Sequence, residues 1–258
     1  MGGQRGPGTI VAMGGGGFSM EPENPLLDDF VLSLAPRQPA RVCFVPTASA
    51  DSPAYLVRFY RAFSGRALAT DLTLFDPPAL PRRPARSSEL PAFLAAQDVI
   101  YVGGGNTANL LGMWRAHGLD RLLREAWQRG TILCGVSAGM LCWFRGGVTD
   151  SFGGLGPIDD GLGLIDATAC PHYDGEPERR PTYRRLIAEG RLGPQGGYAA
   201  DDGAALHFVG EELREVVSSR PQARAYRVEL VDGEVRETPL PTRYLGADGQ
   251  GIDGHSGA

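Results

Sequence analysis

The chain has 258 residues, 42% of them hydrophobic, with a formal net charge of −5. That suffices for a full core, and an acidic balance gives no electrostatic footprint for nucleic acid or an anionic membrane surface. All 25 cationic residues are arginine, and the absence of lysine excludes Schiff-base chemistry, pyridoxal phosphate attachment, a Walker-type phosphate lysine and a Ser-Lys dyad.

In chain order, Thr9 to Met13 reads as a short β-branched strand that runs into Gly14 to Gly17. Helical spacing over Leu26 to Leu34 precedes a second strand, Arg41 to Val45, closed by Pro46. Tyr55 to Phe63 repeats the helical spacing, and Ala67 to Phe75 is a third predicted strand. The proline- and arginine-rich stretch Phe75 to Ser88 reads as a surface connection. A short helix over Leu90 to Ala96 leads to a fourth strand, Asp98 to Val102, which ends in Gly103-Gly104-Gly105-Asn106-Thr107. Leu110, Leu111 and Trp114 share one helix face, and Leu122, Leu123, Ala126 and Trp127 another. Strands alternating with helices at this spacing predict an α/β fold with a doubly wound, mostly parallel sheet and flanking helices.

The next stretch carries the chemistry. Thr131 to Val136 predicts a buried strand, Ser137 follows between Gly135 and Gly139, and Met140 to Phe144 reads as a buried helix. A strand turning into a helix through Gly-x-Ser-x-Gly is a nucleophile elbow, which needs small flanking residues and lifts the serine clear of the sheet. Beyond it, Gly146 to Gly163 reads mostly as loop, Leu164 to Ala169 as a strand leading to Cys170-Pro171-His172, and Arg179 to Ala188 as a helix. Gly197 to Val209, Val216 to Ser218, Ala223 to Val231 and Glu234 to Glu237 predict short, largely antiparallel strands at the sheet edge. The pattern shows no second core, giving one catalytic domain over 1–245 and a disordered tail over 246–258.

A serine hydroxyl needs a base, usually histidine. Of four histidines, His255 lies in the tail, His117 closes a helix before Gly118, and His207 sits inside a strand pattern. His172 ends a predicted strand, where α/β sheets place their sites. The carboxylate partner is open: Asp150 comes soon after the elbow, Asp201 and Asp202 end another strand, and Asp159, Asp160 and Asp174 read as turn aspartates. Oxyanion donors are the N–H of Ala138 and one from Gly103 to Gly105. No apolar run approaches the roughly 20 residues of a membrane span, and Met1 to Gly8 lacks a signal-peptide core. Cys43, Cys134, Cys142 and Cys170 lie in apolar contexts without metal-ligand spacing and read as buried free thiols, which makes the cytoplasm the expected compartment.

Gly103-Gly-Gly-Asn-Thr107, Gly135-Val-Ser-Ala-Gly139 and Pro171-His172-Tyr173, in this order, resemble the peptidase E and cyanophycinase family of serine peptidases. The resemblance spans roughly residues 9 to 210 and implies a class I glutamine amidotransferase-like fold, with serine as nucleophile. It implies Ser137 as nucleophile, His172 as base, Gly105 and Ala138 as oxyanion donors, and Gly104, Asn106 and Thr107 as substrate-binding. It places the acid at Asp150, or at Asp202 (or its neighbour Asp201) if the later strand supplies it. Its aspartyl dipeptidases hold the substrate's acidic side chain with arginine, a role open here to Arg179 or Arg180. The expected activity is that of a dipeptidase on short peptides, without metal or organic cofactor, in a homodimer. Two other readings fit the same serine: an α/β-hydrolase-type esterase, and a non-catalytic small-ligand module with a vestigial pocket.

Overall fold

A computed structural model describes residues 8–75, 89–193 and 196–246. The first half alternates as the periodicities predict: β1 (Thr9–Met13), α1 (Gly17–Met20), α2 (Leu26–Ser33), β2 (Arg41–Val45), a 3₁₀ turn (Thr47–Ser49), α3 (Pro53–Phe63), β3 (Leu68–Asp71), α4 (Leu90–Ala95), β4 (Val99–Val102), α5 (Thr107–His117), α6 (Leu119–Gln128) and β5 (Ile132–Val136). The elbow helix α7 (Ala138–Leu141) then gives way to β6 (Phe144–Thr149), β7 (Gly156–Ile158), β8 (Ile165–Cys170), α8 (Arg179–Ala188), β9 (Gly197–Ala200), β10 (Ala204–Val209), β11 (Glu212–Ser218), β12 (Ala225–Val231), β13 (Glu234–Pro239) and β14 (Thr242–Tyr244).

These strands form two sheets. One runs β14-β11-β10-β1-β5-β4-β2-β3, the other β13-β12-β9-β8-β6-β7. In the first, β1, β5, β4, β2 and β3 are mutually parallel, and β10 joins β1 antiparallel. Residues of β1 alternate between two cores, Ile10 and Ala12 on one side and Val11 and Met13 on the other, so the strand is apolar throughout. Helices α2 and α3 cover one face. Tyr55, Phe59 and Phe63, spaced four apart on α3, bury a single stripe there, each contributing about 1.5–3 kcal/mol by leaving water. The other face shares a core with the second sheet, where Leu206 and Phe208 of β10 join Phe144, Ile165 and Ala167 of β6 and β8. The outer face of the second sheet packs under α8 through Cys170, Tyr183, Leu186 and Ile187.

Four expectations are corrected. The elbow helix stops at Leu141, and Phe144, expected within it, opens β6. The expected loop over Gly146 to Gly163 contains most of β6 and all of β7. The Gly146-Gly147 pair is demanded by close packing: a Cβ on Gly147 would collide with the Ala169 carbonyl, and one on Gly146 with that of Ile158. The late strands do not all edge the first sheet, since β9, β12 and β13 belong to the second. The strand expected over Ala67 to Phe75 is shorter, Leu68–Asp71. The connection after Phe75 and the tail with His255 lie outside the described residues. All four cysteines are buried and free, and among the described residues no helix is long and apolar enough to cross a membrane.

Candidate active site

Neighbouring β1, β5 and β4 run parallel and end side by side, with Met13 opposite Val136 and Val102 opposite Gly135. Ser137 follows β5 at φ 59° and ψ −111°, a strained conformation for a residue with a side chain. The glycines about it are sterically required: a Cβ on Gly139 would strike the Val102 carbonyl, and one on Gly135 would sit 2.5 Å from the Gly139 oxygen. The Ser137 N–H is tied to the Met13 carbonyl at 3.2 Å.

His172 follows β8, also at positive φ (53°), and its N–H donates to the carbonyl of Gly14 at 3.2 Å. Ser137 and His172 therefore anchor to consecutive residues at the end of β1, whose Cα atoms are about 3.8 Å apart. His172 Nδ1 lies 2.6 Å from Asp202 Oδ1, both side chains being nearly buried. A carboxylate only accepts, so Nδ1 carries the proton and Nε2 of the neutral ring is left as a base. Ser137 Oγ itself makes no hydrogen bond among the described residues, and Gly104 lies beside it: a Cβ added there would sit 3.4 Å from Ser137 Cβ and 3.9 Å from its Oγ.

The carboxylate on His172 is thus Asp202, not Asp150. Asp150 is largely exposed and faces Arg179 at 3.8 Å. Asp201 turns the other way, accepting from the Arg224 N–H at 2.9 Å and the Tyr226 hydroxyl at 3.5 Å, and burial pushes it up to about 6. Strand alternation explains the choice between the adjacent pair, because successive side chains at the end of β9 point to opposite sides.

The glycine loop after β4 divides its amides. The Gly104 N–H donates to the Tyr55 hydroxyl at 3.2 Å, and that hydroxyl shares a 2.5 Å hydrogen bond with Ser19 Oγ. The N–H groups of Gly105 and Ala138 make no hydrogen bond among the described residues. Gly105 has φ 138°, and a Cβ there would collide with the Ala48 carbonyl, so no other residue fits this turn. Asn106 caps α5, its Oδ1 accepting from the Asn109 N–H at 2.8 Å and its Nδ2 donating to Ser151 O at 3.1 Å. Thr107 is buried beside Thr149. Both side chains make these hydrogen bonds within the protein.

Arg179 and Arg180 are likewise engaged. Arg179 is buried, with Nε on Glu176 Oε2 at 2.6 Å and Nη1 on the Val148 carbonyl at 3.4 Å. Arg180 pairs with Glu237 and lies over the rings of Tyr173 and Tyr226, 5.3 Å from each centroid. Among the other histidines, His207 is buried in β10 against Phe30 and Glu215, where burial lowers its pKa, and His117 ends α5 before the left-handed Gly118. Tyr55 and Ser19 escaped the sequence reading because a tyrosine on an apolar helix face carries no mark of a polar role.

The model of peptidase family S51 matches residues 10–216. The chain belongs to peptidase family S51. Among its relatives, the uncharacterized peptidase YgaJ of Bacillus subtilis (strain 168) is 52% identical over 238 residues, covering 92% of this chain and 99% of that protein. Peptidase E of Pasteurella multocida (strain Pm70) is 35% identical over 124 residues, 45% of this chain and 53% of that protein. The fold is similar to that of a solved peptidase from an acI-B1 actinobacterium, with TM-score 0.66 and 17% identity over 92% of this chain and 96% of the other. A putative peptidase E from Listeria monocytogenes EGD-e gives TM-score 0.58 and 22% identity over 83% and 98%. The resemblance carried by the three motifs and the α/β class both hold, and the S51 chain is a peptidase.

Proposed function

We propose that this S51 peptidase is a serine exopeptidase that hydrolyses short peptides, acting as a dipeptidase. Ser137 Oγ attacks the scissile carbonyl while His172 Nε2 takes its proton, and Asp202 holds the ring and stabilises the imidazolium. The N–H groups of Gly105 and Ala138 take the oxyanion, in a site where fixed donors need not reorganise. His172 then protonates the leaving amine, and water resolves the acyl-enzyme. The observation that carries this reading is the 2.6 Å His172–Asp202 pair at the strand end that also holds Ser137. It gives the chain order Ser, His, Asp, whereas α/β-hydrolase esterases run Ser, Asp, His, which weighs against the esterase reading. An Asp-X preference would need a free guanidinium. Arg179 is held by Glu176 and Arg180 by Glu237, so the proposal carries no acidic preference.

The test is hydrolysis of aminoacyl p-nitroanilides and dipeptides with acidic, neutral and basic N-terminal residues, by the native enzyme and by Ser137→Ala and His172→Ala. Turnover of several residue types, lost in both variants, is expected. Turnover that survives Ser137→Ala, or none on any substrate, contradicts the proposal.

A further inference from the structure

Asp174, two residues after His172, reads from sequence as a turn aspartate, yet its carboxylate reaches back across the site. Its Oδ1 accepts the backbone N–H of Asp202 at 2.7 Å. The two segments are therefore stapled twice, side chain to side chain through His172 and Asp202, and side chain to backbone through Asp174 and Asp202. A third link, from the Tyr173 N–H to the Ala200 carbonyl at 3.1 Å, fixes the register between them.

The Asp202 carboxyl is also walled in. A Cβ on Gly15 would fall on its Oδ1, and one on Gly175 would lie 2.5 Å from its Oδ2. With glycine on both sides, backbone approaches the carboxyl closely, and His172 is the one side chain that hydrogen-bonds it among the described residues. Its direction is then set by its own backbone, which Asp174 holds. The arginines lining the groove beside Asp174, Arg180 and Arg184, are committed to Glu237, so the Asp174 carboxylate remains available to the Asp202 amide.

We infer that Asp174 is a positioning residue of the proposed peptidase site: it clamps the Asp202 backbone so that Asp202 Oδ1 meets His172 Nδ1. This rests on the serine peptidase reading for its kinetic consequence and on geometry alone for its structural one. Asp174→Ala removes the acceptor. Asp174→Asn keeps an amide oxygen in the same place while removing the charge.

On a peptide that the native enzyme turns over, Asp174→Ala is expected to lower kcat roughly 30- to 100-fold with KM within about twofold, the scale of a small misplacement in a catalytic constellation. Asp174→Asn is expected to recover kcat to within about fivefold of native. Separately, the far-downfield Nδ1 proton resonance of His172 should be present in native protein and Asp174→Asn and weakened or lost in Asp174→Ala. Native kcat in Asp174→Ala, equal damage in both variants, or an unchanged His172 resonance overturns the inference. The resonance reads the clamp without substrate, so failure of the peptidase reading and failure of the clamp are told apart. If Asp174→Ala does not fold, the Asp174→Asn resonance still decides: its loss overturns the clamp.

Discussion

Two residues with side chains, Ser137 and His172, sit at positive φ within one site. Each such conformation costs on the order of 1–3 kcal/mol and persists only where surrounding bonds over-determine it. Here those bonds run to Met13 and Gly14, so the first strand is the reference against which Ser137 and His172 are placed. Tyr55 performs a similar service for the glycine loop proposed to hold the oxyanion. With its hydroxyl occupying the Gly104 amide, the Gly105 amide is the one without a hydrogen bond among the described residues. Tyr55→Phe is expected to lower kcat about tenfold with little change in KM, and to cost about 1–2 kcal/mol in urea unfolding through the unpaired Gly104 amide. Native kcat in this variant would remove Tyr55 from the account. At this scale a motif and elimination among four histidines single out Ser137 and His172, and the structure brings both to the end of β1. Asp202 and Asp150 could not be separated: which aspartate meets His172 depends on a β8–β9 pairing that joins residues about 30 apart and leaves no local pattern.

Among the elements, the elbow works because β4, β5 and α7 approach closer than any side chain allows. Gly139 packs on the Val102 carbonyl, so Gly139→Ala is expected to destabilise by about 2 kcal/mol or more and to displace Ser137. Gly112 in α5 is the control, since an added Cβ there meets nothing within 4 Å. Gly112→Ala should stabilise by about 0.5–1 kcal/mol through helix propensity. Urea midpoints of the two variants check both signs. The elements up to β5 follow their periodicities because each buries a uniform face. Phe144–Thr149 resisted the same reading because its Gly146-Gly147 pair mimics loop composition, although the glycines serve close strand packing. The antiparallel character of the late strands was legible, but their division between two sheets was set by tertiary packing against β8 and β10.

For the molecule as a whole, two sheets share a core and the site lies where their strand ends converge. One buried charge couples this body to pH. Asp28 is 1% exposed, beside Gly17 and Tyr101, with an Oδ1 that has no hydrogen-bond partner among the described residues. Burial raises it to about 7. The native state thus keeps a proton that the unfolded chain loses near the ordinary 3.8, and the stability held below that pH is lost as pH rises toward about 7. Asp201, raised to about 6, acts in the same direction. Asp28→Asn should flatten this decline, matching native stability near pH 4 and exceeding it at pH 8 by up to about 4 kcal/mol. Equal pH slopes for both proteins in urea titrations would contradict it.

The central claim is that Ser137 is served by His172 and Asp202. Its most direct measurement is kcat/KM of Asp202→Asn beside Asp150→Asn, on a peptide that the native enzyme hydrolyses. Asp202→Asn is expected to lose about 10³- to 10⁴-fold, as when the partner that fixes the histidine tautomer is replaced, and Asp150→Asn to change within about threefold. The reverse ranking would contradict it and return the catalytic acid to Asp150.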